Sequence, residues 1–234
     1  MERGCPACSK KGFKMNFREK SAVWWIITIC FFVFIVEIIV LSINPEFVKY
    51  FAISADNFLN GKYMWTLITH MFSHGGIFHL LINMFALFSF GTLCEKIIGR
   101  KRFIWFYLIA GIFAGLLSVV LSGFFGFGFW ERVFGSREVY MLGASGAIFG
   151  IAGLFVVLLP RMRFGIIFIP FFSLPGFVMI PLVLVLMWAA SIGGGLPIGN
   201  VAHFGGFLIG LAYGAYLRTK YKKKIMMLQR FFRQ

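Results

Sequence analysis

Long apolar stretches separated by short polar segments run through most of the chain. A helix that spans a membrane needs about 20 predominantly apolar residues, or somewhat fewer when other helices surround it. Six stretches approach that length, and we predict that each forms a transmembrane helix: 22–43, 78–94, 103–121, 145–159, 175–191 and 201–217. The predicted fold class is therefore all-α, a polytopic membrane protein built as a six-helix bundle.

The start of the fifth stretch is open to two interpretations. Residues 164–172 are also apolar, but Pro170 and Pro175 interrupt the run. Proline breaks or kinks a helix because it lacks the backbone N–H and its ring clashes with the preceding turn. The segment before Pro175 is therefore either a bent entry at the membrane interface or the first part of one long kinked helix.

Positive charge is distributed unevenly around the six stretches. The chain has 23 Lys and Arg against 8 Asp and Glu. With six spans, nineteen of these cations fall on the side of both tails and four on the other side. Cytoplasmic segments carry the excess of Lys and Arg in membrane proteins. We therefore expect a multi-pass protein of the cell membrane with a basic cytoplasmic tail at 1–21, a helical domain at 22–217 and a second basic cytoplasmic tail at 218–234.

Composition supports a membrane environment and excludes several other classes. Hydrophobic residues make up 60% of the chain and charged residues 13%, whereas soluble domains have about 25% charged residues. This composition excludes a disordered chain, a disulfide-rich secreted domain and an ordinary soluble enzyme. Because the cations flank apolar runs, we expect the partners to include membrane lipids and no nucleic acid.

Both tails contain patterns of their own. Cys5 and Cys8 form a lone C-x-x-C, which is half of a typical zinc site, and no second pair accompanies it. We assign it no metal. In the second tail, the basic run predicts attachment to anionic lipid. Its apolar residues predict an amphipathic helix on the membrane surface: Ile225, Met226, Met227, Leu228, Phe231 and Phe232.

Strongly polar residues inside spanning helices are costly and are candidates for function. Asn83 is four positions after His79, so the two side chains lie on one face of a helix and can direct two hydrogen-bond donors to one point. The same spacing would also suit a purely structural pair. Glu37 lies within the first span and must be protonated, paired or adjacent to a polar cavity. We assign it no catalytic role and expect at most a hydrogen bond to a loop.

Ser145 follows a turn of small residues, including Gly143, and precedes a short glycine-rich helix. A serine at this position is often only an N-cap, but the flanking glycines also allow a substrate or another backbone to approach closely. Phe149, four residues later, shares the helix face of Ser145. The short helix is expected to begin below the outer membrane surface, where a water-filled cavity would be required.

His203 precedes a face of small residues in the last predicted helix, formed by Gly206, Gly210 and Gly214. Such a small-xxx-small face permits close contact between helices. The fourth helix has a matching face at Gly146 and Gly150. Packing the two faces together would bring Ser145 and His203 toward each other, in the arrangement of a serine nucleophile with a histidine base.

Three motifs together resemble those of the rhomboid intramembrane serine proteases. They are His79-x-x-x-Asn83, preceded by Trp65, His70 and His74; Gly143-Ala144-Ser145-Gly146; and Ala202-His203-Phe204-Gly205-Gly206, followed by Gly210. The resemblance covers roughly residues 65–216. Each motif alone has low specificity, but their order on the second, fourth and sixth predicted helices is highly specific.

The resemblance implies a function and a role for each motif residue. Proteins of this family cleave transmembrane helices of other proteins with a Ser–His dyad and no cofactor. Ser145 would be the nucleophile and His203 the general base, while His79, Asn83 and the Ser145 N–H would form the oxyanion hole. Phe149 would stack on the catalytic histidine, where tyrosine is common, and Gly143 and Gly206 would support the site. Thr66 replaces the arginine that frequently follows Trp65, which affects the anchoring of the first outer loop and not the chemistry.

Two alternative functions follow from the same residues. His70, His74 and His79 could instead bind a metal ion, although the glutamate of the zinc-protease pattern H-E-x-x-H is missing. The chain could also be a non-proteolytic, rhomboid-like quality-control protein. Such relatives typically lack the serine or the histidine, and this chain has both Ser145 and His203. The pattern predicts no substrate sequence and no oligomeric state.

Overall fold

A computed structural model of the protein describes residues 21–166, 169–194 and 199–232. The basic tail predicted at 1–21 lies outside this part of the chain except for Ser21, so the C-x-x-C pair is also outside it. Helices dominate the described residues, which confirms the prediction of an all-α, polytopic bundle.

The first half of the bundle contains three long helical segments that can span a membrane. The helices before the centre of the chain are α1 (Ala22–Ile43), α2 (Ala55–Leu59), α3 (Thr66–Thr69), α4 (Ile77–Ala86), α5 (Thr92–Ile98) and α6 (Arg100–Phe125). A 3₁₀ turn, Pro45–Tyr50, follows α1, and a π-helical segment, Leu87–Gly91, joins α4 to α5. As a result, α4 and α5 form one continuous spanning segment, Ile77–Ile98.

The second half contains a short central helix, a hairpin and two further long helices. Its elements are α7 (Glu131–Phe134), α8 (Ser145–Leu158), β1 (Arg163–Ile166), β2 (Ile169–Pro175), α9 (Gly176–Gly194), α10 (Asn200–Lys220) and α11 (Lys222–Phe231). A 3₁₀ turn, Gly128–Trp130, precedes α7. All six predicted apolar stretches therefore form helices whose ends lie within a few residues of those predicted.

Four of the described helical segments are long and apolar enough to cross a membrane: Ala22–Ile43, Ile77–Ile98, Arg100–Phe125 and Gly176–Gly194. The protein is therefore a multi-pass membrane protein. α8 has only 14 residues. α10 has 21 residues but is less apolar because it contains several glycines, Asn200 and His203. The count of six spans remains a prediction.

The segment before α9 is a β-hairpin, so the alternative of one long kinked helix is wrong. β1 and β2 pair antiparallel, with Phe164 opposite Leu174 and Gly165 opposite Ser173. Arg163 Nε donates a hydrogen bond to Ser173 Oγ at 3.0 Å. Proline cannot donate within a helix, whereas branched and aromatic side chains favour strands. The apolar residues around Pro170 therefore pair as strands.

α8 lies at the centre of the bundle. Ten of its fourteen residues are buried, and it contacts α6, α9 and α10. At 1.5 Å per residue it is about 21 Å long, which is shorter than the hydrocarbon core of about 30 Å. A helix of this length cannot span the hydrocarbon core by itself.

Two buried or partly buried carboxylates join helices to other segments. Glu95 in α5 accepts hydrogen bonds from the first residues of α1, namely Ser21 Oγ and the Ala22 backbone N–H at 3.0 Å. A carboxylate at this place satisfies N–H groups that have no partner within the helix. Glu37 is 3% exposed and accepts the His74 backbone N–H at 3.2 Å. The expected hydrogen bond between Glu37 and a loop, here donated by the His74 N–H, is therefore confirmed.

The C-terminal basic segment is a helix that packs on the bundle. α10 continues to Lys220, past the predicted end at 217, because cations are favourable at a helix C-terminus. In α11, Ile225 is buried, and Leu228 packs against the main apolar core. The sequence predicted that the apolar face of α11 lies on the membrane surface, but part of this face packs against the bundle instead. Met226 and Met227 do remain exposed.

Candidate functional site

Close contact between α8 and α10 depends on glycines in both helices. A methyl group added at Gly206 would lie 1.8 Å from the Gly146 carbonyl oxygen, and one at Gly210 would lie 2.0 Å from the Gly150 carbonyl oxygen. No side chain fits at such distances. The two backbones are therefore in direct contact along the predicted small-residue faces, and the predicted packing of α8 on α10 is confirmed.

This packing brings Ser145 and His203 together at the ends of the two helices. Ser145 Oγ lies 2.8 Å from His203 Nε2. Ser145 is the first residue of α8, and no side-chain hydrogen bond caps this helix. The alternative that Ser145 is only an N-cap is therefore wrong. Its hydroxyl points toward a histidine that is 6% exposed.

The His203 ring is held from one side by an aromatic ring. The centroids of Phe149 and His203 are 4.7 Å apart, with an angle of 30° between the ring planes. Phe149 lies one turn after Ser145, so a single helix carries both groups that contact the imidazole. His203 Nδ1 is buried and has no hydrogen-bond partner among the described residues. No carboxylate therefore completes a triad within the described residues.

His79 lies beside the turn that precedes Ser145. Gly143 has φ +130°, and a methyl group added there would lie 2.9 Å from His79 Cε1 and 3.6 Å from Ser145 Oγ. Its backbone N–H donates to the His70 carbonyl at 2.8 Å, which fixes the turn before α8. Glycine is needed at this φ and at this distance. The turn thus leaves room for the His79 imidazole beside Ser145.

Asn83 lies one turn below His79 in α4. It is 5% exposed, and its Nδ2 donates a hydrogen bond to the His79 carbonyl at 2.8 Å. An amide nitrogen has two hydrogens, so the second remains for another acceptor. His79 and Asn83 both line the cavity that contains Ser145 and His203. The structure therefore brings the predicted nucleophile and base and the two predicted oxyanion-hole side chains to one cavity.

The cavity has a volume of about 930 Å³. Residues 131–142 form one side of it, and Val183, Met187 and Ser191 of α9 form another. Backbone hydrogen bonds between Ile53 and Met141, at 2.8 and 3.0 Å, tie the 131–142 segment to the loop after α1. Its lining includes the polar groups of Ser145 and His203 and the apolar side chains of Val183 and Met187 in α9. Such a space can hold water beside the serine and a peptide segment along the helix.

The three histidines of the metal-binding alternative do not converge. His70 Nδ1 lies 2.9 Å from the Thr66 carbonyl, and its ring packs against Gly115 of α6. The His74 and His79 rings contact each other, with centroids 5.3 Å apart. In the part of the chain that the structure describes, no three His, Cys, Asp or Glu side chains are placed to hold a metal ion. Burial also lowers the pKa of His70 to about 4, so His70 is neutral at pH 7.

One residue of the site was not predicted from the sequence. Asn200, the first residue of α10, is 4% exposed and lines the same cavity. Its side-chain oxygen has no hydrogen-bond partner within the described ranges. The available signal was its position three residues before His203, which places both side chains on one helix face.

Comparison with known proteins identifies the family. A family model described as Rhomboid domain matches residues 61–220. The presenilin-associated rhomboid-like protein, mitochondrial, of Rattus norvegicus is 31% identical over 150 residues, which cover 64% of this chain and 37% of that protein. Rhomboid protein 1, mitochondrial, of Saccharomyces cerevisiae is 31% identical over 164 residues, or 68% of this chain and 43% of that protein. Rhomboid protease GluP of Bacillus subtilis is 35% identical over 133 residues, or 56% of this chain and 23% of that protein.

The chain spans less than half the length of each of these curated relatives. The match itself includes every predicted site residue, from His79 to Gly206, and extends from the loop before α3 to the end of α10. Because the family model matches more than half of the chain, this protein belongs to the rhomboid family.

Proposed function

We propose that this protein is an intramembrane serine endopeptidase that cleaves transmembrane segments of other membrane proteins with a Ser–His dyad. The observation that carries the proposal is the 2.8 Å distance between Ser145 Oγ and His203 Nε2, at the end of a helix too short to cross the membrane. A serine hydroxyl becomes a competent nucleophile when an adjacent base can accept its proton.

The proposed reaction begins when Ser145 Oγ attacks the carbonyl carbon of a substrate peptide bond and its proton moves to His203 Nε2. The resulting tetrahedral intermediate carries negative charge on the former carbonyl oxygen. His203 then transfers the proton to the leaving nitrogen, the C–N bond breaks, and an acyl-enzyme remains on Ser145. A water molecule, deprotonated by His203, attacks the acyl group and releases the second product.

Three donors are available to the negative oxygen. His79 borders Ser145 across Gly143, Asn83 has a second amide hydrogen, and the Ser145 backbone N–H is at a helix N-terminus, where no intrahelical acceptor exists. Donors fixed before the reaction stabilise the developing charge without having to reorganise. We assign the oxyanion hole to these groups. Phe149 holds the plane of the His203 ring. Gly143 leaves room for His79 beside Ser145, and Gly206 permits the helix contact that places His203 beside Ser145.

Substrate and water reach Ser145 by different routes in this proposal. The substrate is a transmembrane helix, which enters from the lipid past α9 and unwinds locally, so helix-weakening residues near the scissile bond favour cleavage. Water enters through the cavity under the 131–142 segment. No cofactor takes part. We place the protein in the cell membrane with both termini in the cytoplasm, with 22–217 as the protease domain between the tails 1–21 and 218–234.

The test uses purified protein in liposomes with a model single-span substrate, and cleavage is followed on a gel. Wild type, Ser145→Ala and His203→Ala are compared, each with and without a metal chelator. We expect cleavage only by the wild type and no effect of the chelator. Cleavage that survives Ser145→Ala would contradict the proposal, and cleavage that the chelator abolishes would favour the metal-binding alternative.

A further inference from the structure

Three cationic side chains surround a single aromatic ring at the junction of α10 and α11. The Arg102 guanidinium lies 5.4 Å from the centroid of the Tyr221 ring, Lys220 Nζ lies 5.9 Å from it and Lys224 Nζ lies 6.0 Å from it. Arg102 also donates a hydrogen bond to the Tyr221 hydroxyl at 3.2 Å. The cations come from α6, α10 and α11, so the folded chain gathers them from three helices.

No carboxylate in the described chain neutralises this cluster. After Glu95, the acidic residues of the sequence are Glu131 and Glu138, which lie beyond the other end of α6. That helix has 26 residues and is about 39 Å long, which is far beyond the screening length of about 8 Å. Glu95 itself accepts hydrogen bonds from the first residues of α1. Within the described residues, the contacts of these three cations are to the rings and hydroxyl groups of Tyr216 and Tyr221.

A column of aromatic rings leads from the bundle to this cluster. Phe106 and Tyr213 stack with centroids 5.0 Å apart, and Tyr213 and Tyr216 stack at 6.1 Å. Lys220 Nζ donates to the Tyr216 hydroxyl at 2.6 Å, and the Tyr216 side chain is 50% exposed. Tyrosine favours the level of the lipid headgroups, where its ring meets hydrocarbon and its hydroxyl meets water. The cluster thus adjoins an apolar surface that faces lipid.

Contacts of α11 with the bundle fix the position of the Tyr221 ring. Gln229 Nε2 donates a hydrogen bond to the Leu158 carbonyl at the end of α8, at 3.0 Å, and Ile225 is buried against the bundle. Tyr221 lies between α10 and this docked helix, and it is half-buried. The three cations therefore surround a ring whose position is fixed by packing.

We propose that Arg102, Lys220 and Lys224 form a binding site for the phosphate of an anionic phospholipid headgroup. The phosphate supplies the counter-charge that the described chain lacks, and arginine and lysine both pair well with phosphate. The acyl chains would run along the exposed face of Tyr216 beside the aromatic column. A lipid, and not free phosphate, is the proposed ligand because the site adjoins that lipid-facing surface. The proposal is independent of proteolytic activity.

The test measures lipid binding by thermal unfolding of the full chain in a neutral detergent. The added ligands are phosphatidylglycerol, phosphatidylcholine and inorganic phosphate. For the wild type we expect a saturable rise in Tm with phosphatidylglycerol alone, because a ligand that binds the native state stabilises it. Native mass spectrometry should show phosphatidylglycerol retained on the same protein.

The decisive comparison uses two triple variants of equal charge. The site variant is Arg102→Gln/Lys220→Gln/Lys224→Gln, and the control is Arg218→Gln/Lys222→Gln/Lys223→Gln, which removes three exposed cations outside the cluster. We expect the apparent Kd for phosphatidylglycerol to weaken on the order of a hundredfold in the site variant, at least tenfold more than in the control. If the site variant does not fold, Lys224→Gln and Lys222→Gln provide the same comparison with single changes. Equal losses in site and control variants, or an equal response to inorganic phosphate, would overturn the proposal.

Discussion

Substitution of Gly206 by alanine tests whether contact between two backbones positions the Ser–His pair. The added methyl group would lie 1.8 Å from the Gly146 carbonyl oxygen, whereas ordinary contact begins near 3.4 Å. Neither group can rotate away, because one is bonded directly to the backbone of α10 and the other belongs to the backbone of α8. The helices must therefore separate by about 1.5 Å at this point.

The separation should act mainly on the reaction. His203 lies one turn before Gly206 and moves with it, so the 2.8 Å distance to Ser145 Oγ would increase to about 4 Å, beyond a hydrogen bond. A misplacement of about 1 Å can reduce the rate on the order of a hundredfold. We expect kcat to fall by at least that factor with a much smaller change in KM. Overpacking should also destabilise the fold by about 1–3 kcal/mol.

The assay compares cleavage of the single-span substrate and thermal unfolding in the same detergent for three variants. Gly193→Ala is the matched control, because a methyl group there meets nothing within 4 Å. Gly214→Ala lies on the same face as Gly206, but its nearest neighbour is the Val157 side chain at 2.9 Å. Gly214→Ala should therefore lower Tm while retaining most activity. Activity of Gly206→Ala within a few-fold of wild type would show that this backbone contact does not position the Ser–His pair.

Four further predictions follow from the site and the fold. Asn83→Ala should reduce kcat about 10²–10³-fold because one oxyanion donor is lost, and this loss should be smaller than that of Ser145→Ala. An unchanged kcat would contradict the assignment of Asn83 to the oxyanion hole. Phe149→Tyr should retain activity, whereas the cleavage rate of Phe149→Ala should fall about tenfold because the stacked ring is missing. Equal cleavage rates for the two variants would contradict the role of the ring. A membrane-impermeant maleimide should label Cys5 and Cys8 only after cells are permeabilised, because both tails are predicted to lie inside the cell. The other two cysteines are buried and should not react. Labelling of intact cells would contradict the predicted orientation. Stability in detergent should fall as the pH drops from about 6.5 to about 4, because burial holds the pKa of His70 near 4 and only the unfolded chain binds the proton there. This difference is worth up to about 3 kcal/mol. His70→Gln should weaken the dependence without abolishing it, because burial also lowers the pKa of His74 to about 4, and an unchanged profile would contradict the prediction.

The parts of the fold that depend on one local pattern could be predicted from the sequence. The first predicted helix, 22–43, has the bounds of α1, because a continuous apolar run determines both of its ends. The contact between α8 and α10 was predictable because glycines at a spacing of four residues leave only one face for close approach. This contact then placed Ser145 beside His203 without any knowledge of the loops.

Features that depend on distant parts of the chain could not be predicted in this way. The hairpin before α9 arises because Phe164 and Leu174 pair across strands, and an apolar run with prolines does not distinguish this pairing from a bent helix. The docking of α11 required knowledge that Gln229 would meet the end of α8. The gathering of three cations around Tyr221 combines three helices, and only the folded chain brings them together.

Covalent labelling with a fluorophosphonate tests whether His203 activates Ser145, and it does not require a known substrate. Wild type, His203→Ala and heat-unfolded wild type are treated alike, and the modified residue is identified by peptide mass spectrometry. We expect modification of Ser145 in the native wild type and its loss in the other two samples. Equal labelling of Ser145 in His203→Ala, or the absence of label at Ser145 in a sample that cleaves substrate, would contradict this expectation.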